Sequence, residues 1–464
     1  MIKIDESITA EDLSKNTELL FGLAASKIRL VERSWDKSRG TPVFTVNGVY
    51  TTRGWTEWTQ GFQFGLPIYQ FDATGEEEFL EMGRLNTAKY MASHVSHTGV
   101  HDHGFNNIST YGNLLRLMKE GKIPENDWER EFYQLALKVS GAVQAARWTE
   151  LPGELGYVPS FNGPHSLFSD TIRSMRVLAV AHKLGHILMG ENDRKISLLE
   201  RLLKHSETTA RYNVYFGEGR DGYDVRGRVV HESVFNINNG TYRCPSTQQG
   251  YSPFSTWTRG LSWILLGYAE QLEFIDTLDN SEIKELNLPY YKNKKEVQKR
   301  FLETAMAVSD FYIENTPTDG IPYWDTGAPG LAKMGDYLER PADPFNPYEP
   351  VDSSAAAISA QGLLRLGHYL KENGKKKEGD RYLRAGLTVS RTVLSDRYLS
   401  VDDNHQGLLL HSVYHHPNRW DNIREGQKVP NGESCFWGDY HAMELAVYLK
   451  RLTNNEPYLA FFNI

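Results

Sequence analysis

Two aspartates lie where a carboxyl group could transfer a proton. The first, Asp170, lies among apolar residues in the segment HSLFSDTIR. Apolar surroundings raise the pKa of a carboxyl group, and one that keeps its proton near neutral pH can act as a general acid. The alternative is a structural ion pair between Asp170 and Arg173 or Arg176, which follow it on the same predicted helix.

The second aspartate, Asp102, lies between His101 and His103 in VHDHGF. An HxH pair without a third ligand in a familiar spacing is a weak indication of a metal, so we predict no metal site. Asp102 also stands where it can cap a predicted helix, accepting hydrogen bonds from backbone N–H groups. Because the helix dipole keeps such a carboxylate ionised, capping is compatible with a catalytic role.

Tryptophans recur between the predicted helices, beside polar residues that can bind hydroxyl groups. They are Trp58, Trp257, Trp263, Trp324 and Trp437. Sugar rings stack their C–H faces on aromatic rings, while their hydroxyl groups bind Asp, Asn, Gln, His and Arg side chains. These segments therefore indicate a carbohydrate site, although any single tryptophan at a helix start is also explained by core packing.

The segment 231–263 adds further polar candidates. His231 begins HESVFN, which is not the zinc-protease motif HExxH because Phe235 replaces the second histidine. Gln249 and Arg259 follow in QQGYSPFSTWTRGLSW. Arg259 can bind a substrate carboxylate through two guanidinium nitrogens, or it can form a salt bridge that closes the fold. The sequence leaves both interpretations open.

Helical hairpins that recur along the chain must position these residues. The ranges 65–95, 177–212 and 357–394 each contain two stretches of apolar residues at helical spacing, joined by a turn of Gly, Asn or Asp. The range 261–315 contains a fourth pair of predicted helices. Such helices must stack on neighbours, in an open solenoid or a closed toroid. Because the polar loops are alike and would converge in a toroid, we predict one all-α toroidal domain over 1–464, with residues 1–15 peripheral.

Composition narrows the class of protein. The 464 residues include 51 Lys and Arg against 59 Asp and Glu, a net charge of −8, which counts against nucleic-acid binding. No apolar run is long enough to span a membrane. Two cysteines, Cys244 and Cys435, make no bridge framework. Because the start MIKIDESITAEDL lacks signal-peptide features, we expect a cytoplasmic protein, or a periplasmic one if a leader was removed.

Seven motifs follow one another along the chain in a fixed order. They are WTQGF at 58–62, HDHGF at 101–105, SDTIRSM at 169–175, QGYSPFSTWTRGLSW at 249–263, PYWDTGAP at 322–329, DSSAAAI at 352–358 and WGDY at 437–440. In this order they resemble the unsaturated glucuronyl hydrolases of glycoside hydrolase family 88. The resemblance to the rhamnogalacturonyl hydrolases of family 105 is more distant.

The resemblance implies an (α/α)6 barrel of helical hairpins that acts on uronic-acid-containing oligosaccharides left by polysaccharide lyases. Their non-reducing end is a 4,5-unsaturated uronic acid. An aspartate protonates C4 of the double bond, water adds to C5, and the resulting hemiketal rearranges and releases the remaining saccharide. No metal or organic cofactor is implied, and neither nucleic acid nor a membrane is an expected partner.

The motifs also imply roles for individual residues. Asp170 corresponds to the acid/base of the family and Asp102 to its second essential carboxylate, while His231 corresponds by spacing to an active-site histidine. With His231 included, the positions expected to bind substrate are Trp58, His231, Gln249, Trp257, Arg259 and Trp263.

Two departures from the family pattern leave the reaction open. Ser252, Pro253 and Phe254 stand where the family has a more acidic stretch, and the insertion 217–245 is rich in Tyr, Arg and Asn. One alternative is a lyase on a glucuronan- or alginate-type polymer, with the same barrel and with Tyr and His as base and acid. Its candidate residues are Tyr223, Tyr242, Tyr251, His165, His231 and Asn162. A second alternative is a non-catalytic glycan-binding protein.

Overall fold

Helices make up most of the regular structure in the computed structural model, which describes residues 1–54, 57–457 and 460–464. Within those residues, none of the helices combines the length and the hydropathy that a membrane span requires. The α-helices are α1 (Ser14–Ser34), α2 (Gln60–Thr74), α3 (Glu77–Tyr90), α4 (Ala92–Val95), α5 (His103–Asn107), α6 (Asn113–Lys119), α7 (Asp127–Ala146), α8 (Thr171–Ser174), α9 (Arg176–Lys183), α10 (Leu198–Tyr212), α11 (Thr258–Asp276), α12 (Asn280–Glu285), α13 (Lys294–Glu314), α14 (Ser353–Glu372), α15 (Lys376–Val393) and α16 (Phe436–Thr453).

Six inner helical segments close a ring. In order they are α2, α5–α6, α8–α9, α11, α14 and α16, and α16 packs against α2. The outer helices α1, α3, α7, α10, α13 and α15 cover this ring. Small residues let the inner helices approach one another, since a Cβ at Gly362 of α14 would collide with Leu265 of α11. The predicted all-α (α/α)6 toroidal barrel is confirmed.

All six inner segments begin at one end of the barrel. Their N-cap residues, in chain order, are Thr59, Asp102, Asp170, Trp257, Asp352 and Cys435. The polar loops that precede these helices therefore converge at this end, as expected of a toroid. Because helix N-termini carry partial positive charge, the same end attracts anions.

Short strands, which the sequence did not predict, lie in the segments between the helices. They are β1 (Phe44–Val46), β2 (Val49–Thr51), β3 (Thr149–Leu151), β4 (Leu155–Tyr157), β5 (Ser166–Phe168), β6 (Leu188–Met189), β7 (Lys195–Ile196), β8 (Glu232–Phe235) and β9 (Tyr242–Ser246). β5, β8 and β9 form one antiparallel sheet, in which Phe168 pairs with Glu232. This sheet holds Asp170, which follows β5, beside His231, which precedes β8.

The predicted hairpin 177–212 is only partly correct. Its two helices, α9 and α10, are present, but β6 and β7 form a β-hairpin between them. Gly185, with a φ of 72°, ends the helical path, and Asn192 adopts a φ of 55° in the turn. Both lie in the left-handed region, which a continuing right-handed helix cannot include.

The N-terminal segment packs into the core. Ile2, Ile8 and Leu13 are buried there, and the backbone N–H of Ile2 donates to the carbonyl of Ile313 at the end of α13 over 2.9 Å. The predicted peripheral residues 1–15 thus contribute apolar contacts to the barrel.

A buried ionic cluster fills the interior of the ring. Arg173 Nε lies 2.7 Å from Glu270 Oε2, and Arg173 Nη2 lies 3.0 Å from Glu444 Oε2. Arg176 Nη1 lies 3.5 Å from Glu270 Oε1. The predicted alternative of an ion pair between Asp170 and either arginine is therefore wrong, because both guanidinium groups face carboxylates of other inner helices.

We expect Arg173→Met to lower the free energy of unfolding by about 3–5 kcal/mol, because it leaves two buried carboxylates without their counter-charge. Urea denaturation followed by circular dichroism measures the effect. Arg130→Met is the matched control, since Arg130 forms ion pairs only with exposed carboxylates, and we expect it to change stability little. Equal effects of the two substitutions would contradict a structural role for the buried cluster.

Candidate active site

A cavity lies at the end of the barrel where the inner helices begin. Aromatic side chains form much of its wall, and two carboxyl groups face it. The residues that line it are Trp58, Val100, His101, Asp102, Phe105, Phe161, Phe168, Asp170, Gln249, Trp257, Arg259, Trp263, Tyr414 and His415. Most of the predicted site residues therefore meet in one place. Trp55 and Thr56, in the loop that carries Trp58, lie outside the described residues.

The two aspartates face each other across His101. His101 Nε2 forms a 2.8 Å hydrogen bond with Asp170 Oδ2 and lies 3.7 Å from Asp102 Oδ1. One ligand-type atom from each residue lies within 4.8 Å of the other two. We call these three residues the acid cluster. The arrangement lets one proton be shared among two carboxyl groups and an imidazole.

The predicted rise in the pKa of Asp170 is wrong. Burial raises that pKa, but the hydrogen bond and charge of His101 outweigh burial and hold the pKa of Asp170 below its ordinary value. Burial instead raises the pKa of the Asp102 carboxyl group. Burial lowers the pKa of His101, yet the two carboxylates more than compensate, so that pKa is raised. The cluster at rest thus carries its proton on His101 or Asp102.

Asp102 occupies the predicted N-cap position of α5 without the predicted cap bond. Its side chain accepts no hydrogen bond from the first turn of the helix. The carboxyl group turns to the cavity instead, where it lies beside His101. The prediction of a capping hydrogen bond is therefore wrong, and the group is available to a ligand.

His231 stands behind Asp170, away from the cavity. Its Nδ1 accepts hydrogen bonds from the backbone N–H groups of Gln248 and Gln249, at 3.0 and 3.3 Å. Its proton therefore lies on Nε2, which is 3.9 Å from Asp170 Oδ1. Burial lowers the pKa of His231 to about 4, so the ring is neutral near neutral pH. His231 thus directs an N–H group at Asp170.

Arg259 forms the salt bridge that the sequence offered as an alternative. Its Nη1 lies 2.8 Å from Asp352 Oδ2. Its Nη2 donates to Gln249 Oε1 at 2.9 Å and to the carbonyl of Tyr414 at 2.7 Å. Arg259 therefore ties the start of α14 and the Tyr414 segment to the cavity wall and fixes the Gln249 amide. Direct binding of a substrate carboxylate by Arg259 stays a prediction.

Three of the five tryptophans line the cavity, namely Trp58, Trp257 and Trp263. Trp324 and Trp437 are buried away from it, and their indole N–H groups bond to other side chains. Core packing therefore explains Trp324 and Trp437. The other three present aromatic surface to a ligand.

Comparison with known proteins supports a specific relationship. No family model matches the chain. The unsaturated glucuronyl hydrolase of Bacillus sp. (strain GL1) is 25% identical over 403 residues, which cover 85% of this chain and 87% of that protein. The chain is a relative of the unsaturated glucuronyl hydrolases. The unsaturated chondroitin disaccharide hydrolase of Streptococcus agalactiae serotype III (strain NEM316) is 23% identical over 413 residues, 87% of this chain and 84% of that protein.

Solved structures of the unsaturated glucuronyl hydrolases share the fold. The crystal structure of the Bacillus sp. GL1 enzyme superposes with a TM-score of 0.68 at 21% identity, and the match covers 94% of this chain and 97% of that one. That enzyme is described as responsible for the degradation of glycosaminoglycan. The barrel inferred from helical periodicity is therefore the barrel of these hydrolases.

Several cavity residues were not predicted to belong to the site. His101 was visible in HDHGF, but a histidine that bonds to a carboxylate has no spacing signature of its own. Tyr414 and His415 come from the irregular segment between α15 and α16, which carries no motif at that point. The unpredicted lining residues are Val100, His101, Phe105, Phe161, Phe168, Tyr414 and His415.

Of the residues proposed for a lyase, His231 alone borders the acid cluster within the described part of the chain. The remaining candidates, none of which lines the cavity, are Tyr223, Tyr242, Tyr251, His165 and Asn162. The tyrosine that a lyase would use as a base is therefore not found where this alternative predicted it.

The acid cluster is also the place where a cation could bind, because imidazole and carboxylate groups are common metal ligands. In the described residues it is the only group of three such side chains with ligand atoms this close. The hydrogen bond between His101 and Asp170 joins two of those atoms directly, which favours proton sharing. The absence of a cofactor stays a prediction.

Proposed function

We propose that this chain is a glycoside hydrolase that removes a 4,5-unsaturated uronic acid from the non-reducing end of lyase-generated oligosaccharides. The observation that carries the proposal is the pair of carboxyl groups, Asp170 and Asp102, joined through His101 in a cavity with tryptophan walls. Aromatic walls with a few polar groups between them are the kind of lining that suits a sugar ring. The relatives named as unsaturated glucuronyl hydrolases support the same reaction.

The proposed reaction is hydration of a vinyl ether. Asp170 transfers a proton to C4 of the double bond, and the positive charge that develops at C5 is taken up by water. The oxygen of that water bonds to C5, and its second proton returns to the acid cluster. The hemiketal at C5 then opens to a ketone, and the resulting hemiacetal at C1 releases the remaining saccharide. The sum is the consumption of one water molecule per glycosidic bond.

His101 can supply Asp170 with the proton that this step needs. At rest the proton lies on His101 or Asp102, because the pKa values of these two groups are raised and that of Asp170 is lowered. A bound uronate brings a further negative charge, which favours protonation of its neighbours. The 2.8 Å hydrogen bond then provides a direct path from His101 Nε2 to Asp170 Oδ2.

The uronate carboxylate is expected to bind among neutral donors and helix N-termini. Helices α2, α11, α14 and α16 all begin at the cavity end, and their dipoles favour an anion there. Arg259 donates a hydrogen bond to the amide oxygen of Gln249. The amide nitrogen of Gln249 is therefore the atom that can donate to a ligand. Burial lowers the pKa of His415 to about 4, so it too is neutral near neutral pH.

His101→Gln is expected to move the alkaline limb of the pH profile of kcat/KM to lower pH. His101, whose pKa is raised, can hold the proton of the acid cluster at rest, and without His101 that proton must reside on a carboxyl group, whose ordinary pKa is lower. A general acid works in its protonated form, so a proton that is lost at lower pH ends activity at lower pH. We also expect kcat to fall about tenfold or more, because the proton relay is lost. The measurement is a pH–rate profile on an unsaturated disaccharide.

His182→Gln is the control for that experiment, because His182 pairs with Glu282 on the surface of the barrel. Its pH profile should match that of the unmodified protein. An alkaline limb that stays in place or moves to higher pH in His101→Gln would contradict the proposed role of His101.

The function itself is tested by incubating the protein with unsaturated disaccharides and, separately, with intact uronic-acid polysaccharides. The unsaturated uronyl group absorbs ultraviolet light. A hydrolase of the proposed kind removes this absorbance from the disaccharides and leaves the polymers unchanged. A rise in absorbance with a polymer would instead establish a lyase, and saccharide binding without turnover would establish a glycan-binding protein.

The polysaccharide of origin is the finer part of the proposal. One relative is named for unsaturated chondroitin disaccharides, so disaccharides of this kind are the first to test. The departure at 252–254 lies within the segment 249–263, and the insertion 217–245 contacts that segment through Tyr223, which stacks on Phe254.

A further inference from the structure

A loop beside the cavity carries aromatic side chains outward. The segment 249–257 leaves the cavity wall at Gln249 and returns to it at Trp257. Between these ends, Tyr251 is 51% exposed and Phe254 is 44% exposed. Exposure of large aromatic side chains to water is unfavourable, and a group of such side chains at a surface is typical of an interaction site. The loop therefore places apolar rings next to the mouth of the cavity.

A second segment contributes a ring to the same surface. Tyr223, which belongs to the insertion 217–245 and is 54% exposed, stacks on Phe254 with ring centroids 4.6 Å apart and an interplanar angle of 28°. The sequence singled out Tyr223 as a lyase candidate and Phe254 as a departure from the family. The structure gives the two residues a common location instead.

A buried arginine holds the two segments together. Arg228 Nε donates to the carbonyl of Tyr223 at 2.7 Å, and Nη1 donates to the carbonyl of Pro253 at 3.2 Å. The Arg228 guanidinium itself lies 3.7 Å over the ring of Tyr215, which is buried. Charge-assisted bonds of this kind are strong and directional. The exposed pair is thus fixed before any ligand arrives.

The third exposed ring, that of Tyr251, belongs to a backbone segment held by Asp325. The backbone N–H of Tyr251 donates to Asp325 Oδ2 at 2.8 Å, and Asp325 Oδ1 accepts the N–H of Gly327. Asp325 also forms a backbone bridge with Trp257, at the other end of the loop. Both ends of the loop are therefore tied to the segment that contains Asp325.

We propose that Tyr223, Tyr251 and Phe254 form an outer saccharide-binding site, which stacks sugars of the leaving chain beyond the first residue after the cleaved bond. The proposal rests on the proposed function, because an enzyme that holds the terminal uronate in the cavity must direct the rest of the oligosaccharide outward. Flat aromatic faces without formal charge suit the C–H faces of pyranose rings. The site therefore selects for chain length.

The test compares an unsaturated disaccharide with an unsaturated tetrasaccharide from the same polymer. The unmodified protein should show a lower KM for the tetrasaccharide. Phe254→Ala and Tyr223→Ala should each raise that KM by about threefold to tenfold, the range expected for loss of one aromatic stacking contact. Neither should change kcat, or the KM for the disaccharide, by more than about twofold. Phe254→Tyr should preserve the preference.

Trp128→Ala is the control, because Trp128 is 85% exposed and lies at the start of α7. The opposite end of α7 contacts the site through Gln144, which donates to the carbonyl of His101. At 1.5 Å per residue, the two ends are about 25 Å apart. Trp128→Ala should leave both KM values unchanged.

Three results would overturn the outer site. They are an unmodified protein with equal KM values for the two substrates, alanine variants that raise both KM values alike, and alanine variants that change neither. Retained disaccharide turnover shows that each variant folds. If the unmodified protein turns over neither substrate, the proposed function fails and the outer site fails with it, a result distinct from the other three.

Discussion

Asp170→Asn is expected to lower kcat for an unsaturated disaccharide by a factor of about 10³ while the fold persists, within the range for removal of a general acid. The asparagine keeps an oxygen that can accept the hydrogen bond of His101, which in the unmodified protein is 2.8 Å long. It has no acidic proton to give to C4. The initial rate of ultraviolet absorbance loss at saturating substrate measures kcat.

Asp127→Asn is the matched control, since it makes the same chemical change at an exposed side chain in the first turn of α7. Its kcat should equal that of the unmodified protein. Circular dichroism and urea denaturation should give similar curves for both variants, so that a lost rate is not a lost fold. An Asp170→Asn protein with nearly full kcat would contradict the assignment of Asp170 as the acid.

The second large effect is expected from Asp102→Asn, which should lower kcat about 10²-fold by removing a carboxylate that stores or accepts the proton. It should also move the alkaline limb of kcat/KM to lower pH. The charge of Asp102 favours protonation of its neighbours, and its loss lowers the pKa values of His101 and Asp170. The measurement is the same pH–rate profile used for His101→Gln.

The two profiles together are more decisive than either alone. His101→Gln removes a group that holds the proton, and Asp102→Asn removes a charge that keeps the proton on His101, so both alkaline limbs should move to lower pH. A limb that stays in place or moves to higher pH in either variant would show that the three residues do not share a proton as proposed. A normal kcat in Asp102→Asn would show that this carboxyl group takes no part in the reaction.

The barrel was predictable because its signals are local. Apolar residues at helical spacing, broken by a turn such as that at Gly75, whose φ is 73°, define each hairpin without knowledge of its neighbours. The sheet of β5, β8 and β9 was not predictable in the same way. Its strands are three to five residues long, and more than 60 residues separate β5 from β8, with which it pairs, so no local periodicity predicts that pairing.

The position of the site was predictable from loop composition, whereas its electrostatics were not. The apolar neighbours of Asp170 predicted a raised pKa, but the group that decides that pKa is His101, which is 69 residues away. The same limit applies to Arg259, whose partner Asp352 is 93 residues away. Long-range partners decide the charge state of a buried group, and spacing along the chain does not identify them.

The central claim is that the double bond is hydrated before the glycosidic bond breaks. The most direct measurement uses a disaccharide analogue in which carbon replaces the glycosidic oxygen, so that the linkage cannot be cleaved. We predict that the unmodified protein removes the ultraviolet absorbance of this analogue at a rate near that for the natural disaccharide, and that Asp170→Asn does not. An analogue that keeps its absorbance while the natural disaccharide is cleaved would contradict hydration and indicate direct displacement at the anomeric carbon.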